Sequence, residues 1–406
     1  SATPREPHTW PRVTTPRKIF GRSNYNNIEK LHFFFSFPLC TRSRLALASL
    51  AILTVQLVPR DFTERIITAY PDPHHPSEVI MNAILVNDAG GLALTACPQP
   101  VPLPSEALIR VCSTSVNRAD LLQAAGRYPP PTGASKILGL ECSGVIVAFG
   151  TADDAAETRA LRDAHAFRVG DRVCALLTGG GYAEYATVPV SLLMAVPKHM
   201  PLDVSGAVPE VWMTALQLVH VEGGVKAGQS VLIHAAGSSV GKAAIQLCRA
   251  AGASTIVATA GTAAKLSVAQ RLGATVCVSR HGDGWLAAME AAGVRRGTID
   301  LILDPIGGSY WKDNAEVIAV DGTQVVYGLM GGGALPTTGI APVLSHLLRK
   351  RVTLKGTTLR TRSVPYKERL AVRFERDHIL FVLLTLVNQL IVAQNFSVLI
   401  IIMLKL

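Results

Sequence analysis

The sequence predicts an α/β protein in which a small β-rich domain precedes a doubly wound domain built on a parallel sheet. Two features support this prediction. Short apolar runs of strand type, separated by Gly and Pro, follow Met81, and from about Pro209 strand-like and helix-like segments alternate. Such alternation is typical of right-handed βαβ units around a parallel sheet. With 406 residues, 49% of them hydrophobic, the chain is long enough for two or three domains with a sizeable core.

Residues 1–80 form an N-terminal extension without a sustained hydrophobic period. Arg42 and Arg44 precede an apolar run of 14 residues, 45–58, which is too short for an ordinary membrane span but fits a signal or transit element. The alternative, which we favour, is that this extension is not native and lies upstream of the true start.

The β-rich domain is expected over residues 81–205, with strands at 83–86, 107–112, 143–149 and 172–176. Acidic residues between 151 and 165 predict a surface insertion. The second domain is expected over residues 206–340. Its predicted helices include 240–251 and 264–272, and its predicted strands are 230–236, 255–260, 276–279, 301–304 and 323–327.

The C-terminal tail, residues 379–406, is hydrophobic and unlike the rest of the chain. It includes 26 uncharged residues, 379–404, a length that would span a bilayer. Four amide side chains interrupt the stretch, and polar groups are costly in hydrocarbon. We therefore prefer a buried or aberrant terminus to a membrane anchor.

The charge and the cysteine content indicate which kinds of partner and which cellular compartment to expect. The net charge is +10, but the basic residues are scattered and never form a run of five, which argues against a nucleic-acid partner. The seven cysteines include no CxxC pair, so neither a disulfide framework nor a structural zinc site fits their spacing. We expect a cytoplasmic protein, or a mitochondrial one if residues 1–80 are a genuine transit segment.

A turn of small residues, 236–241 (AGSSVG), lies between a predicted strand and a predicted helix. Such a turn lets backbone N–H groups approach a pyrophosphate, and the helix N-terminus adds partial positive charge. The turn keeps Gly237 and Gly241 but lacks the middle glycine of the G-x-G-x-x-G fingerprint. A plain tight turn would look similar, so the motif alone is weak.

The absence of acidic residues between Glu222 and Asp283 indicates which nucleotide is bound. NAD sites normally carry Asp or Glu at the end of the second strand, where it binds the ribose hydroxyls. Here that strand ends in Thr-Ala-Gly-Thr, 259–262, with Lys265 one turn later. One or two charged hydrogen bonds to a 2′-phosphate, ~1.5–3 kcal/mol each, imply a preference of about 10- to 100-fold or more for NADPH. The alternative is that Lys265 is only a solvated helix residue.

Ordered blocks from Met81 to about Arg376 resemble the zinc-independent quinone oxidoreductases (ζ-crystallin type) of the medium-chain dehydrogenase/reductase superfamily, and most of all the tumour-suppressor-inducible subgroup. Besides the turn at 236–241, they are 115–122 (SVNRADLL), 126–131 (GRYPPP), 137–144 (ILGLECSG), 208–215 (VPEVWMTA), 303–311 (LDPIGGSYW), 326–333 (VYGLMGGG) and 356–362 (GTTLRTR). The resemblance implies a GroES-like β-rich catalytic domain and a Rossmann-type nucleotide-binding domain. Residues 341–378 would return to the catalytic domain. Relatives continue beyond Tyr366 with a pattern that this chain loses.

The resemblance also implies the chemistry. Zinc alcohol dehydrogenases have Cys where Asn117 stands and His where Leu140 stands, so we expect no metal. Hydride would pass from NADPH to a quinone or related enone. The residues implied around the nicotinamide and the acceptor are Asn117, Tyr128 and Thr214. Those implied at the cofactor are Gly237, Ser239, Val240, Gly241, Gly261, Lys265, Arg280, Tyr327, Gly328, Leu329, Met330 and Arg360.

Several alternatives stay open at this stage. Tyr128 could donate a proton or only pack against its neighbours, and His234 is better interpreted as a packed strand residue than as a ligand. An enoyl-thioester reductase of the same superfamily would need a larger acceptor cleft. A non-catalytic NADPH-binding protein would bind the nucleotide without turnover. The family further suggests a homo-oligomer.

Overall fold

The computed structural model describes residues 79–87, 90–150, 167–282, 284–334 and 340–377. The predictions for the extension before residue 79, the acidic insertion and the hydrophobic tail therefore lie outside the described residues.

The first domain is β-rich, as predicted. A hairpin, β1 (Ile80–Val86) and β2 (Leu92–Pro98), is antiparallel. A five-stranded antiparallel sheet has the order β6-β3-β4-β5-β7 and consists of β3 (Glu106–Ser113), β4 (Glu141–Phe149), β5 (Arg172–Leu176), β6 (Tyr185–Pro189) and β7 (Leu193–Ala195). Helix α1 (Arg118–Ala124) lies between β3 and β4. Ile109, Cys142 and Val173 are among the buried residues of this sheet's core.

The second domain contains a six-stranded parallel sheet of order β10-β9-β8-β11-β12-β13. Its strands are β8 (Ser230–Ile233), β9 (Thr255–Ala260), β10 (Val276–Ser279), β11 (Ile299–Asp304), β12 (Ile318–Val326) and β13 (Thr353–Gly356). The order reverses between β8 and β11, and in doubly wound sheets ligands bind at the carboxyl ends of strands at that point. This topology identifies where a nucleotide site is expected.

The helices of the second domain follow the predicted alternation. They are α2 (Leu202–Ser205) and α3 (Pro209–Leu216) before the sheet, then α4 (Ser239–Ala250), α5 (Ala263–Leu272), α6 (Trp285–Ala291), α7 (Trp311–Val317) and α8 (Ile340–Lys350). A π-helical segment, Gln217–Glu222, continues α3, and a 3₁₀ turn, Gly308–Tyr310, precedes α7. The sequence did not predict the π-helical segment.

Three of the boundaries that differ from the prediction do so for physical reasons. The strand expected over 230–236 ends at Ile233, because Ala235 adopts a left-handed φ of 49° that starts the turn. Helix α4 begins at Ser239, since the Ser238 hydroxyl accepts a hydrogen bond from the N–H of Gly241 at 3.0 Å and caps the helix. The return segment also starts later than expected, because β13 pairs with β12 and extends the parallel sheet to Gly356.

The chain then returns to the β-rich domain through α9 (Val364–Asp377). The ring of Phe374, fully buried, lies 6.2 Å from that of Trp212 on α3. The carboxylate of Glu375 accepts a hydrogen bond from the N–H of Ala195 on β7 at 2.6 Å. Aromatic pairs of this kind contribute about 0.5–1.5 kcal/mol beyond area burial, so α9 is a substantial link between the domains.

Among the described residues, no helix is both long enough and apolar enough to cross a membrane.

Candidate functional site

The small-residue turn lies at the reversal of strand order, between β8 and α4. In the first turn of α4, the N–H of Gly241 is bound by the Ser238 hydroxyl, whereas the N–H groups of Ser239 and Val240 have no intrahelical acceptor and are available to an anion. A Cβ on Gly241 would lie 2.7 Å from the Cα of Ala236 and 2.8 Å from the carbonyl oxygen of Ala235. Only glycine at this position allows α4 to approach the turn so closely.

The side chain of Lys265 lies directly over Gly237. A Cβ on Gly237 would meet the Lys265 methylene groups at 2.7–2.8 Å. Lys265 is at the start of α5, whose N-cap Thr262 accepts a hydrogen bond from the Lys265 N–H at 3.3 Å. Burial and the nearby Lys265 charge lower the pKa of Lys242. Two lysines therefore concentrate positive charge at this turn.

Two further basic side chains converge at the end of β9. The Nε atom of Arg280 is 2.9 Å, and the Nε2 atom of His281 3.2 Å, from where a Cβ on Gly261 would lie. Arg280, His281 and Lys265 are exposed, and in the described ranges no carboxylate forms an ion pair with them. Arg280 and Lys265 were predicted from the sequence as cofactor-binding residues, whereas His281 was not. The one sequence feature that points to His281 is its position beside Arg280 after β10.

The segments after β11 and β12 pack against each other through their backbones. Met330 and Gly331 donate N–H hydrogen bonds to the carbonyl oxygens of Pro305 and Ile306, at 3.0 and 2.7 Å. A Cβ on Gly328 would meet the Pro305 oxygen at 3.0 Å. Leu329 and Met330 are 61% and 44% exposed, so this segment presents apolar side chains to the outside. Tyr327, whose pKa is raised by burial, packs against the core.

A buried polar network fixes these segments. Asp304, fully buried, accepts hydrogen bonds from the N–H groups of Ile306 and Gly307, at 2.7 and 3.0 Å. It also accepts from the amides of Asn314 and Gln324, at 3.0 Å each. The other end of the Asn314 amide bonds Nε2 of His234 at 2.7 Å, which agrees with a packed His234.

Thr214, on α3, has a buried hydroxyl with no hydrogen-bond partner among the described residues. Buried polar atoms almost always have partners, so an isolated one marks a place where a ligand or water is expected. Together with the basic side chains beside Gly237 and Gly261, this unpartnered hydroxyl fits a dinucleotide that carries phosphates at one end and an amide at the other.

The amide of Asn117 is held by a buried carboxylate. Its Nδ2 atom donates to Oε1 of Glu141 at 2.8 Å, and the Ser115 hydroxyl donates to the same oxygen. The other oxygen, Oε2, accepts the N–H of Glu210 at 2.8 Å, which ties β4 to α3. Burial raises the pKa of Glu141 to about 7 and that of Glu210 to about 8. Burial therefore shifts these two carboxyl groups near the domain junction toward their protonated forms.

Tyr128 lies beside Arg360, also at the domain junction. The Arg360 guanidinium carbon is 5.4 Å from the centre of the Tyr128 ring. Arg360 was predicted as a cofactor contact, but its hydrogen bonds go to Thr178 and Gln123 of the β-rich domain. The structure thus groups Arg360 with Tyr128 instead of with the basic side chains at Gly261.

The two positions at which zinc alcohol dehydrogenases carry Cys and His hold no metal ligand in this chain. They carry Asn117, whose amide is bound to Glu141, and Leu140, which is 1% exposed. Across the described ranges, no group of three or more His, Cys, Asp or Glu side chains is arranged to hold a metal ion.

Two family models match the chain in the order of its domains. The alcohol dehydrogenase GroES-like domain matches residues 103–198, and the zinc-binding dehydrogenase domain matches residues 239–374. The match to the first covers most of the β-rich domain, and the match to the second begins at α4 and ends within α9. Together the two matches cover more than half of the chain.

Known proteins with similar sequences include two curated relatives. The chain is 30% identical over 232 residues to the synaptic vesicle membrane protein VAT-1 homolog of Rattus norvegicus, covering 57% of this chain and 54% of that protein. It is also 30% identical over 233 residues to a probable quinone oxidoreductase of Schizosaccharomyces pombe, covering 57% and 66%. The chain thus spans about half to two thirds of the length of these relatives.

Among solved structures, a mycobacterial protein complexed with NADPH is 27% identical, with a TM-score of 0.59 and coverage of 78% of this chain and 90% of that one. The predicted fold, a GroES-like domain followed by a Rossmann-type domain, is confirmed. With these two domains in this order, the chain belongs to the medium-chain dehydrogenase/reductase superfamily.

Proposed function

We propose that this protein reduces quinones or related electron-poor enones with NADPH, without a metal. The observation that carries the proposal is the convergence of Lys265, Arg280 and His281 on the glycines at the ends of β8 and β9. An exposed cationic site whose side chains form no ion pair with a carboxylate among the described residues suits a 2′-phosphate, which NADPH has and NADH lacks. The mycobacterial relative complexed with NADPH and the S. pombe relative named as a quinone oxidoreductase support this choice.

The nucleotide-binding side of the site would act by positioning. The N–H groups of Ser239 and Val240 would bind the pyrophosphate, and the Lys265 side chain, packed over Gly237, would add positive charge beside it. The Thr214 hydroxyl would gain the partner that it lacks by binding the carboxamide. Gly328 and the exposed Leu329 and Met330 would lie along the nicotinamide ring. When bound, the reduced nicotinamide supplies the hydride.

The acceptor side of the site would handle the proton. Tyr128 is partly buried and burial raises its pKa, so its phenol stays protonated at neutral pH and can donate. Asn117 would lie near the acceptor, its amide oriented by Glu141. A quinone needs only one proton per hydride, and the phenol or solvent would supply it.

The proposal that no metal is needed is based on the residues at the two zinc-ligand positions. A zinc site of the dehydrogenase type needs a thiolate and an imidazole where this chain has Asn117 and Leu140. An amide already bound to a carboxylate and a buried alkyl side chain cannot replace those ligands. Retention of activity after prolonged dialysis against a chelator, with no zinc detected by elemental analysis, would agree with the proposal. Loss of activity that zinc restores would refute it.

The proposal is tested first by nucleotide titration. The full chain is titrated with NADPH and with NADH while nicotinamide fluorescence is followed, and oxidation of each by 1,2- and 1,4-quinones is then measured. We expect tighter binding of NADPH, a selective loss in Lys265→Ala and quinone-dependent oxidation. Lys226→Ala, a charge change on the loop before β8, is the matched control. Binding without oxidation would instead indicate a non-catalytic nucleotide-binding protein, and equal affinity for the two nucleotides would refute the cofactor assignment.

The closer relationship to the tumour-suppressor-inducible subgroup is also proposed, on the blocks quoted above. The homo-oligomer and the cytoplasmic location stay predictions, which light scattering and cell fractionation would test.

A further inference from the structure

Arg360 is a buried cation at the domain junction. Arg360 is only 4% exposed. The Nε atom donates to the carbonyl oxygen of Thr178 at 2.9 Å. The Nη2 atom donates to the same oxygen and to Oε1 of Gln123, at 2.7 Å each. Both acceptors are neutral, and within the described ranges Arg360 forms no ion pair with a carboxylate. Its charge is thus held in place by hydrogen bonds but is not neutralised by a direct contact.

The remaining nitrogen of this guanidinium, Nη1, has no partner. It is buried, and among the described residues nothing accepts its hydrogen bonds. A buried charged donor without an acceptor is costly, and such a group calls for an explanation such as a catalytic role or a bound water or ion. An oxygen that acquires negative charge would satisfy this donor better than a neutral one.

Arg360 is also next to the group proposed to donate the proton. Its guanidinium carbon lies 5.4 Å from the centre of the Tyr128 ring. Tyr128, Asp120 and Glu210 interact with its charge, and Lys367 donates to its backbone carbonyl oxygen at 2.8 Å. Asp120 is itself bound by the N–H groups of Asn117 and Gly139. The guanidinium that carries the unused donor therefore lies beside the residue proposed to donate the proton.

We propose that Nη1 of Arg360 and the hydroxyl of Tyr128 form the oxyanion site for the acceptor. This inference rests on the proposed reductase function. When a quinone or enone accepts a hydride, an acceptor π bond breaks and its electron pair moves to the carbonyl oxygen. Nη1 donates a hydrogen bond to that oxygen as the charge develops. A proton from Tyr128 or from water completes the product, so that one hydride and one proton are added.

Preorganisation gives this donor its effect. A hydrogen-bond donor that is fixed and shielded from water stabilises developing charge more than a mobile exposed one. The planar guanidinium makes this possible, because it bonds Thr178 and Gln123 along one side and leaves Nη1 free. A lysine at the same position is a single point donor and could not bond both anchors and the acceptor in the same geometry.

The test uses 4-nitrophenol, whose phenolate absorbs visible light, as a mimic of the charged acceptor oxygen. It is added to the full chain with and without NADP⁺, and the apparent pKa of the bound phenol is measured by absorbance. The variants are Arg360→Gln and Arg360→Lys. The control is Arg362→Gln on the same segment, whose guanidinium bonds Glu222 and Thr357 and stacks on Tyr366. NADPH affinity is measured for every variant by fluorescence.

We expect the parent protein to lower the pKa of bound nitrophenol and Arg360→Gln to lose that effect, with phenolate affinity reduced about 10²- to 10³-fold. Arg360→Lys should recover only part of it, and NADPH affinity should not change in either variant. Arg362→Gln should bind phenolate as the parent does. Quinone reduction, kcat/KM, should fall in parallel with phenolate affinity.

Three results would overturn the proposal. One is phenolate binding in Arg360→Gln equal to that of the parent. Another is a selective loss of NADPH affinity in both Arg360 variants, which would return this residue to the cofactor. The third is a parent protein that shows no preference for phenolate over phenol. None of these readouts needs turnover, so a parent that binds phenolate through Arg360 but oxidises no NADPH would refute the reductase function alone.

Discussion

Replacing Gly261 with alanine should weaken NADPH binding and leave NADH binding nearly unchanged. A Cβ at this position would lie 2.9 Å from Nε of Arg280 and 3.2 Å from Nε2 of His281. Contacts this short must relax, and here they involve the ends of two exposed side chains and not the backbone. Gly261 does not have a positive φ, so alanine fits its conformation without strain. The substitution therefore displaces two basic groups and little else.

The magnitude follows from the contacts that are lost. A hydrogen bond to a charged group contributes about 1.5–3 kcal/mol, and loss of one such contact to the 2′-phosphate raises the Kd for NADPH about 10- to 150-fold. NADH has no phosphate at this place, so its Kd should change by less than about threefold by the same reasoning. The unfolding free energy should be unchanged or rise slightly, since alanine restricts the unfolded chain.

The assay is a fluorescence titration of both nucleotides with the parent, Gly261→Ala, Arg280→Ala and His281→Gln. The two side-chain variants separate the contributions of the groups that the methyl displaces. Comparing the affinity for 2′,5′-ADP with that for 5′-AMP measures the contribution of the 2′-phosphate in the absence of the nicotinamide. Equal losses for NADPH and NADH would show that the methyl contacts the ribose common to both. An unchanged NADPH affinity would show that Arg280 and His281 do not bind the 2′-phosphate, and would refute the reasoning.

Three further predictions address stability. Gly241→Ala brings a Cβ to 2.7 Å from backbone at Ala236, so it should cost about 1–3 kcal/mol in urea unfolding; parent-like stability would show that the turn can relax. Asp304→Ala leaves four buried donors without an acceptor and should cost about 3–5 kcal/mol in thermal unfolding, and a loss below about 1 kcal/mol would contradict the network. Burial raises the pKa of Glu210 from 4.5 to about 8, so the folded state holds its proton longer and stability falls as pH rises through this range. In Glu210→Gln, the decrease in the free energy of unfolding over this pH range should be smaller by roughly 2–4 kcal/mol. Parallel pH profiles of the parent and the variant would show that Glu210 is ionised in the folded protein.

The local structure of the proposed nucleotide-binding half could be predicted because its parts are local in sequence. A strand, a turn and a helix follow one another within 230–250, and hydrophobic pattern and small residues are enough to recognise them. Lys265 was predicted from the acid-free segment, and its side chain lies over Gly237, while its contact with a nucleotide stays a prediction. The errors there are small and have local causes, such as the left-handed Ala235 that shortens β8.

The acceptor half could not be predicted in the same way because it is assembled from distant segments. Gln123, Thr178 and Arg360 meet although more than 180 residues separate Arg360 from either partner. Only the return of the chain after β13 brings Arg360 to the β-rich domain, and no periodicity in the sequence encodes that return. The π-helical segment at Gln217 and the buried pair of Glu141 and Glu210 likewise depend on packing between α3, β4 and the return segment.

The two halves also differ in how they hold charge, and this difference agrees with the proposed chemistry. At the ends of β8 and β9 the cations are exposed and unpaired with carboxylates in the described structure, so an anionic nucleotide is attracted from solution and loses little solvation. At the domain junction, burial raises the pKa of Glu141 to about 7 and that of Glu210 to about 8, which shifts both acids toward their neutral forms. Arg360 places a positive charge beside Tyr128. A neutral acceptor can enter such a region without a large desolvation cost. Its hydrogen bond to Arg360 becomes stronger as its oxygen becomes negative, so the transition state is stabilised more than the ground state.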